Sequence, residues 1–341
     1  MKPIDGSSVI VTGGGSGIGA GTALYFASRG ARVTICGRRT AKIEAVAAEI
    51  GSFCQAVTAD VTVAADRERL LAAALDFGGG KLDVLISNAA STYRGEIDAL
   101  DEQKLLEAFH TNVIAGMMLT GLCVPHLEKT HGAVVFIGSM HTQRAFPGTS
   151  PYAATKGAVE TLTRVLAAEL GRKKVRVNCV RPGAVFTEMR HRAGHTGEAQ
   201  ALERLHSLAP EHALGRIGTA EEIAEAIAHL ACAEWTTGSI VSVDGGLSLG
   251  VTHAGRRHER SVVRSRSGRT PCATRRRDDR EPAALGRFLA SLPRNDTRAP
   301  RDPRRGWRAL ARSRGSRSRH RNARRRRLSP RHGECVSLDD G

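Results

Sequence analysis

Tyr152 and Lys156 stand four residues apart at the start of an alanine-rich stretch whose pattern predicts a helix over 152–171, so both side chains lie on one helix face. Such a spacing is common by chance. It gains weight from Ser139, which follows an apolar run predicted to be a strand over 133–137, because open α/β sheets bind ligands beyond the carboxyl ends of their strands. The three side chains suit one kind of chemistry. A phenol with its ordinary pKa of about 10 is a poor base at neutral pH, and a neighbouring ammonium favours the phenolate. A phenol so placed can give or take a proton at a reacting oxygen. The serine hydroxyl can donate to that oxygen as negative charge builds on it. What the trio lacks is a carrier for the electrons.

The N-terminal residues offer a place for one. Gly13-Gly14-Gly15-Ser16-Gly17-Ile18-Gly19 lies between a predicted strand over 8–12 and a predicted helix over 17–29. Glycines allow close backbone approach, and a helix N-terminus presents unpaired N–H groups and partial positive charge to a pyrophosphate. Alone, such a turn is a weak signal. Between a first strand and a first helix it has the context of the dinucleotide fingerprint, with Gly13, Ser16, Gly17, Ile18 and Gly19 as the expected contacts. The next predicted strand, over 32–37, ends in Cys36-Gly37-Arg38-Arg39. An NAD site usually has an acid there for the ribose hydroxyls. Two guanidinium groups suit a 2′-phosphate instead, so NADP(H) is expected in preference to NAD(H), with Arg38 on the phosphate and Arg39 in support. The alternative is a pair of solvated arginines at the start of a helix. Asp60-Val61, after a strand predicted over 52–58, suits the adenine: the carboxylate can accept from the amino group while Val61 packs on the ring. The same dipeptide also suits a helix cap.

Holding these groups requires strands and helices in alternation. Further strands are predicted over 84–87, 176–180 and 240–243, and helices over 41–50, 101–129 and 220–231. Most of the strands are continuous apolar runs, as in a parallel sheet covered on both faces. The expected fold is α/β, a Rossmann-type doubly wound parallel sheet in a single domain. The pattern stops near residue 250. Residues 252–341 hold 27 Arg, no Lys and 9 acidic residues, whereas 1–251 hold 24 basic and 25 acidic residues. The net charge of +17 therefore belongs to the tail. A near-neutral domain gives no electrostatic reason to expect nucleic acid as a partner. The expected domain is 1–251, with 252–341 a disordered tail whose Arg, Pro, Ser and Gly cannot bury enough surface to offset ordering. The seven cysteines show neither Cys-x-x-Cys nor metal-ligand spacing and read as small apolar fillers, so no metal is expected. No targeting composition and no apolar run of ~18 residues is seen, which predicts a cytoplasmic protein without a membrane span.

In order, the chain carries Thr12 with the glycine turn, Asp60-Val61, Asn88-Ala89-Ala90, Asn112, Ser139, Tyr152-Ala153-Ala154-Thr155-Lys156, Pro182-Gly183 with Thr187, and Val243-Asp244-Gly245-Gly246. In these elements residues 5–250 resemble the classical short-chain dehydrogenase/reductase family. The resemblance implies a tetrad of Asn112, Ser139, Tyr152 and Lys156. Tyr152 would be the general acid/base, Ser139 the stabiliser of the substrate oxygen, and Lys156 the ligand of the nicotinamide ribose. Asn112 would hold a water that links Lys156 to a proton relay; taken by itself it reads as a satisfied core amide. Asn88 would brace the cofactor loop, and Pro182, Gly183, Val185 and Thr187 would surround the nicotinamide carboxamide. Ala90 departs from the glycine common in the family. A secondary alcohol or its ketone is the implied small-molecule substrate, and a homotetramer or homodimer the implied assembly. The stretch 187–216 would cover the substrate, with His191, His195, His206 and His212 as surface or lid residues.

Two other functions compete with the oxidoreductase. One is a non-catalytic NADP-binding regulator, against which the complete tetrad argues. The other is nucleic-acid binding through the arginine-rich tail, densest at residues 324–327. A lysine-free, arginine-heavy tail is also what out-of-frame reading of GC-rich DNA would produce.

Overall fold

Val9, Ile10 and Val11 are fully buried in consecutive positions of strand β1 (Ser8–Thr12), and so are Val134 and Val135 in β5 (Ala133–Ile137). Neighbouring strand residues point to opposite faces, so such runs fold only where both faces of a sheet are covered. The computed structural model describes residues 1–185 and 207–250. Among these residues β1, β2 (Arg32–Gly37), β3 (Cys54–Thr58), β4 (Val84–Ser87), β5, β6 (Arg176–Pro182) and β7 (Ile240–Val243) form one parallel sheet in the order β3-β2-β1-β4-β5-β6-β7. The order reverses between β1 and β4. That switch opens the crevice in which doubly wound sheets bind ligands.

Strand parity sorts the core into two layers. Val9, Val11, Val33 and Ile35 pack against Phe26 of α1 (Gly17–Ala27), Ile43 of α2 (Thr40–Ile50) and Ile227 of α7 (Ala220–Cys232). Ile10, Leu85 and Phe136 point the other way, onto Leu70 of α3 (Ala64–Phe77), Leu119 and Cys123 of α5 (Ala115–Thr130) and Val159 of α6 (Ser150–Leu170).

Three elements differ from the sequence reading. Helix α3 is absent from it; Val63 occupies the N-cap position and makes no side-chain cap, so the usual start signal is missing. The helix expected over 101–129 is α4 (Glu102–Phe109) and α5 joined by a π-turn, His110–Ile114. Its length and composition would suit a membrane span, but Leu119, Cys123 and Leu127 are buried in the core over the sheet. Strand β6 runs on to Pro182, which pairs with Val243. The tail over 252–341, Thr187, His191, His195 and His206 lie outside the described residues.

Candidate active site

A cleft of about 590 Å³ lies across the carboxyl ends of β1, β2, β4 and β5, within the range of small-molecule sites. Gly13, Arg38 and Asp60 line one end of it, and Ser139, Tyr152 and Lys156 line the other.

At the first end the backbone itself is the binding surface. Gly13 has φ of 68°, which glycine adopts without strain, and a Cβ there would sit 3.0 Å from the Ala89 Cα. A methyl on Gly19 would collide with the Gly13 carbonyl, so α1 docks directly beneath the turn. Ser16, the N-cap of α1, makes no side-chain cap bond. The helix terminus is thus left with donors to offer, and the cradle fits a pyrophosphate. Asn88 steadies it, donating from Nδ2 to the carbonyls of Thr12 at 2.8 Å and Gly13 at 3.3 Å. The Thr12 hydroxyl oxygen accepts from the backbone N–H groups of Asn88 and Ala89, both at 2.9 Å.

Two guanidinium groups border this cradle. Arg39 Nη2 donates to Ser16 Oγ at 3.4 Å, which brings it over the turn. Arg38 is 62% exposed and stands 3.7 Å from Asp60 Oδ2. Asp60 also closes a local turn, its Oδ1 accepting from the backbone and hydroxyl of Thr62 at 3.0 and 2.8 Å. The backbone N–H of Asp60 donates to Asp66, holding the Asp66 carboxyl below the usual range with help from Arg69. Val61 is buried beside it on the cleft wall. Burial pushes the Cys36 thiol up to about 12, so this cleft-lining sulfur stays protonated.

At the second end one helix face supplies successive groups. Lys156 is 4% exposed, donates to the carbonyl of Ile137 at 2.8 Å, and has its Nζ 5.7 Å from the centroid of the Tyr152 ring. Ser139 begins a 3₁₀ turn (Met140–Thr142) at the end of β5. Its Oγ lies 2.9 Å from His141 Nδ1, and the His141 ring meets that of Tyr152 edge-on with centroids 5.4 Å apart. Asn112 sits in the π-turn, a feature found often at functional positions. Its Oδ1 accepts from Ser91 N at 2.7 Å, and its Nδ2 donates to Ser91 O at 2.9 Å and Thr155 Oγ1 at 3.0 Å. The amide thus ties the loop after β4 to the helix turn between Tyr152 and Lys156.

One turn further along α6, Glu160 is buried against Arg181 of β6. Arg181 Nε and Nη2 donate to the two carboxylate oxygens at 2.9 and 2.7 Å, and Glu160 raises the guanidinium's affinity for its proton. Thr142 of the Ser139 loop also donates to Glu160 at 2.6 Å. Burial raises the neighbouring Cys179 thiol to about 11.

Pro182, Gly183 and Val185 line the cleft beyond β6, with Gly183 N donating to Val243 O at 3.0 Å and Val185 bridging to Gly218. His212 is no surface residue: it is 1% exposed, packed beneath Gly245, with Nδ1 2.8 Å from Leu208 O. The glycine motif after β7 covers it, which spacing along the chain does not reveal. His141 and the Glu160–Arg181 pair escaped the sequence reading. His141 stands two residues from Ser139 and could have been noticed; the pair spans 21 residues and has no local signal.

Residues 13–248 match the family model described as enoyl-(acyl carrier protein) reductase. The chain belongs to the short-chain dehydrogenase/reductase family. As such it is an oxidoreductase built on an NAD(P)-binding sheet. It is 35% identical over 254 residues to an uncharacterised oxidoreductase of Methylorubrum extorquens, covering 72% of this chain and 100% of that one. To the L-fucose dehydrogenase of Bos taurus it is 37% identical over 251 residues, 72% of this chain and 90% of that one. A solved 3-ketoacyl-(acyl-carrier-protein) reductase from Brucella melitensis, complexed with NADH, superposes with a TM-score of 0.65 at 31% identity, covering 72% of this chain and 99% of that one.

Proposed function

We propose that this dehydrogenase/reductase, within a domain of residues 1–251, transfers hydride between NADP(H) and a secondary alcohol or ketone, with Tyr152 as general acid/base. The observation that carries this reading is the convergence of Ser139, Tyr152 and Lys156 at one end of a cleft whose other end bears Arg38 and Arg39.

The nicotinamide, when bound, supplies or accepts the hydride. The chain's own residues manage the oxygen and its proton. Ser139 donates to the substrate oxygen, and Tyr152 gives that oxygen a proton from its hydroxyl during reduction or, as the phenolate, takes one during oxidation. The Lys156 ammonium, anchored on Ile137, holds charge beside the phenol and offers its remaining hydrogens to the nicotinamide ribose. Asn112, whose Oδ1 accepts from Ser91 N and whose Nδ2 donates to Ser91 O and Thr155 Oγ1, holds the water that links Lys156 to a proton relay. Gly13, Ser16, Gly17, Ile18 and Gly19 receive the pyrophosphate, Asp60 and Val61 the adenine, and Asn88 keeps the turn in shape. Pro182, Gly183 and Val185 face the carboxamide, a role the family resemblance extends to Thr187.

Exposed Ile114, Met117 and Met118 on the α4–α5 side and Val165 on α6 favour a homodimer or homotetramer. Five free thiols among the described residues suit a reducing cytoplasm. The test is NADPH oxidation across a panel of carbonyl compounds. Tyr152→Phe should lower turnover at least about 10²–10⁴-fold while NADPH still binds. An unchanged rate would sink the mechanism.

A further inference from the structure

The loop that carries Ser139 holds a second ionisable side chain, one the chemistry above leaves unused. His141 Nδ1 lies 2.9 Å from Ser139 Oγ, and the His141 backbone N–H donates to the same oxygen at 3.3 Å. The ring is packed edge-on against Tyr152 and tilted against Phe146, with centroids 5.4 and 5.0 Å away. It cannot swing off Ser139 without leaving both aromatic neighbours.

A serine hydroxyl has one hydrogen and two lone pairs. The backbone N–H of His141 takes one lone pair. When Nδ1 bears no hydrogen, the hydroxyl donates to it, and the hydrogen a substrate oxygen needs is turned aside. When Nδ1 bears a hydrogen, both lone pairs are filled and the hydroxyl hydrogen turns toward the cleft. We propose that His141 is a positioning residue which, in its Nδ1–H form, presents the Ser139 hydroxyl to the substrate oxygen. The inference rests on Ser139 being the donor to that oxygen. The imidazolium always carries this hydrogen, whereas the neutral ring divides between two tautomers, so carbonyl reduction is favoured on the acid side of the histidine titration.

Among the described residues, the charged and titratable groups around the ring come from several elements. Tyr152, Lys156 and Glu160 face it or its loop from α6, and Arg181 from β6 pairs with Glu160. Arg144, on the same loop, lies over Phe146 and pairs with Glu211, and Arg94 lines the cleft from the loop after β4. The carboxylates in this set are paired with guanidinium groups.

Two substitutions separate the roles of the ring. His141→Asn places an amide donor near the Nδ1 position without titrating, and His141→Phe keeps the aromatic contacts without the nitrogen. With NADPH and whichever carbonyl of the panel is turned over, the wild-type kcat should fall as pH rises through the histidine range. His141→Asn should remove that fall. His141→Phe should lower kcat about tenfold or more, short of the 10²–10³ cost of losing an oxyanion donor outright, with the KM for NADPH unchanged. In a Ser139→Ala background His141→Phe should cost nothing further. An equal loss in that background, with the wild-type acid limb intact, would overturn the inference. Imidazole nitrogen NMR of the full chain decides without any turnover, the His141 signal being the one absent in His141→Asn. Ser139→Ala should move its titration to lower pH, since the bond lost by the imidazolium is charge-assisted and stronger than the one lost by the neutral ring, and an unmoved titration overturns the inference. Failure of the parent mechanism looks different: Tyr152→Phe would stay active whatever His141 does.

Discussion

Arg38 meets Asp60 across 3.7 Å at the mouth of the cleft, with Arg39 above the glycine turn, and the chain has no acid at the end of β2. A 2′-phosphate arriving there would replace a loose, solvated ion pair by charge-assisted bonds, each worth about 1.5–3 kcal/mol. Arg38→Leu should therefore weaken NADPH by about 10–100-fold and leave NADH nearly unaffected, as read by fluorescence titration of both cofactors. Equal losses would place Arg38 on a part the two share. Glu160 works in the opposite setting. It and Arg181 are 8–9% exposed, and removing one member of a buried pair strands the other charge. Glu160→Ala should cost about 3 kcal/mol in urea denaturation, from the range of ~3–5 for breaking such pairs. A cost below about 1 kcal/mol would mean that water reaches Arg181.

Helix α7 shows how an element is started and what acid does to it. Thr219 Oγ1 accepts from Glu222 N at 3.2 Å while Glu222 Oε2 accepts from Thr219 N at 2.9 Å, a reciprocal cap extended by Arg216 Nη1 at 3.0 Å. Arg216 first, then the Thr219 backbone, pulls the Glu222 carboxyl from its ordinary 4.5 down to about 2. A folded-state value below the unfolded one gives stability that is complete above about pH 4.5 and lost as pH falls toward 2. Both side chains are more than a third exposed, so the gain is small. The thermal midpoint of the wild type should drop more across that window than that of Glu222→Gln, which gives up the ion pair beforehand. Parallel slopes would contradict the assignment. The same elements show what the sequence displays and what it conceals. β1, β4 and β5 are legible because a buried parallel strand is one unbroken apolar run. α3 hides because Val63 gives its start no capping side chain. The π-turn hides for a different reason: Asn112 satisfies its amide on Ser91 and Thr155, 21 and 43 residues away, and no window of chain contains that agreement. Ser139, Tyr152 and Lys156 stand out by type and spacing, whereas His141 acquires meaning only where α6 brings Tyr152 against it.

On the scale of the whole molecule, the sheet order reverses between β1 and β4, and the cradle, the π-turn and the Ser139 loop all gather at that reversal. Among the described residues the elements that build it end by residue 250, and the matched family residues end at 248. Residues 1–251 alone should then bind NADPH and turn over carbonyls within about twofold of the full chain, because every cleft residue among the described ones lies within them. A truncated chain that binds no NADPH would refute that boundary. The full chain, with 27 arginines after residue 251, should alone retain DNA at low salt and release most of it by ~200 mM. Helix α6 carries a further implication. Tyr152 rests on the His141 ring, Lys156 on the last carbonyl of β5, and Glu160 on β6, so one helix face is bolted at three successive turns to three different neighbours. Thr92 and Arg94 line the same cleft from the loop after β4, and none of those three contacts runs through them. Substrate preference can thus drift, in nature or under a designer's hand, by rewriting one wall of the cleft while the proton-handling wall stays bolted in place.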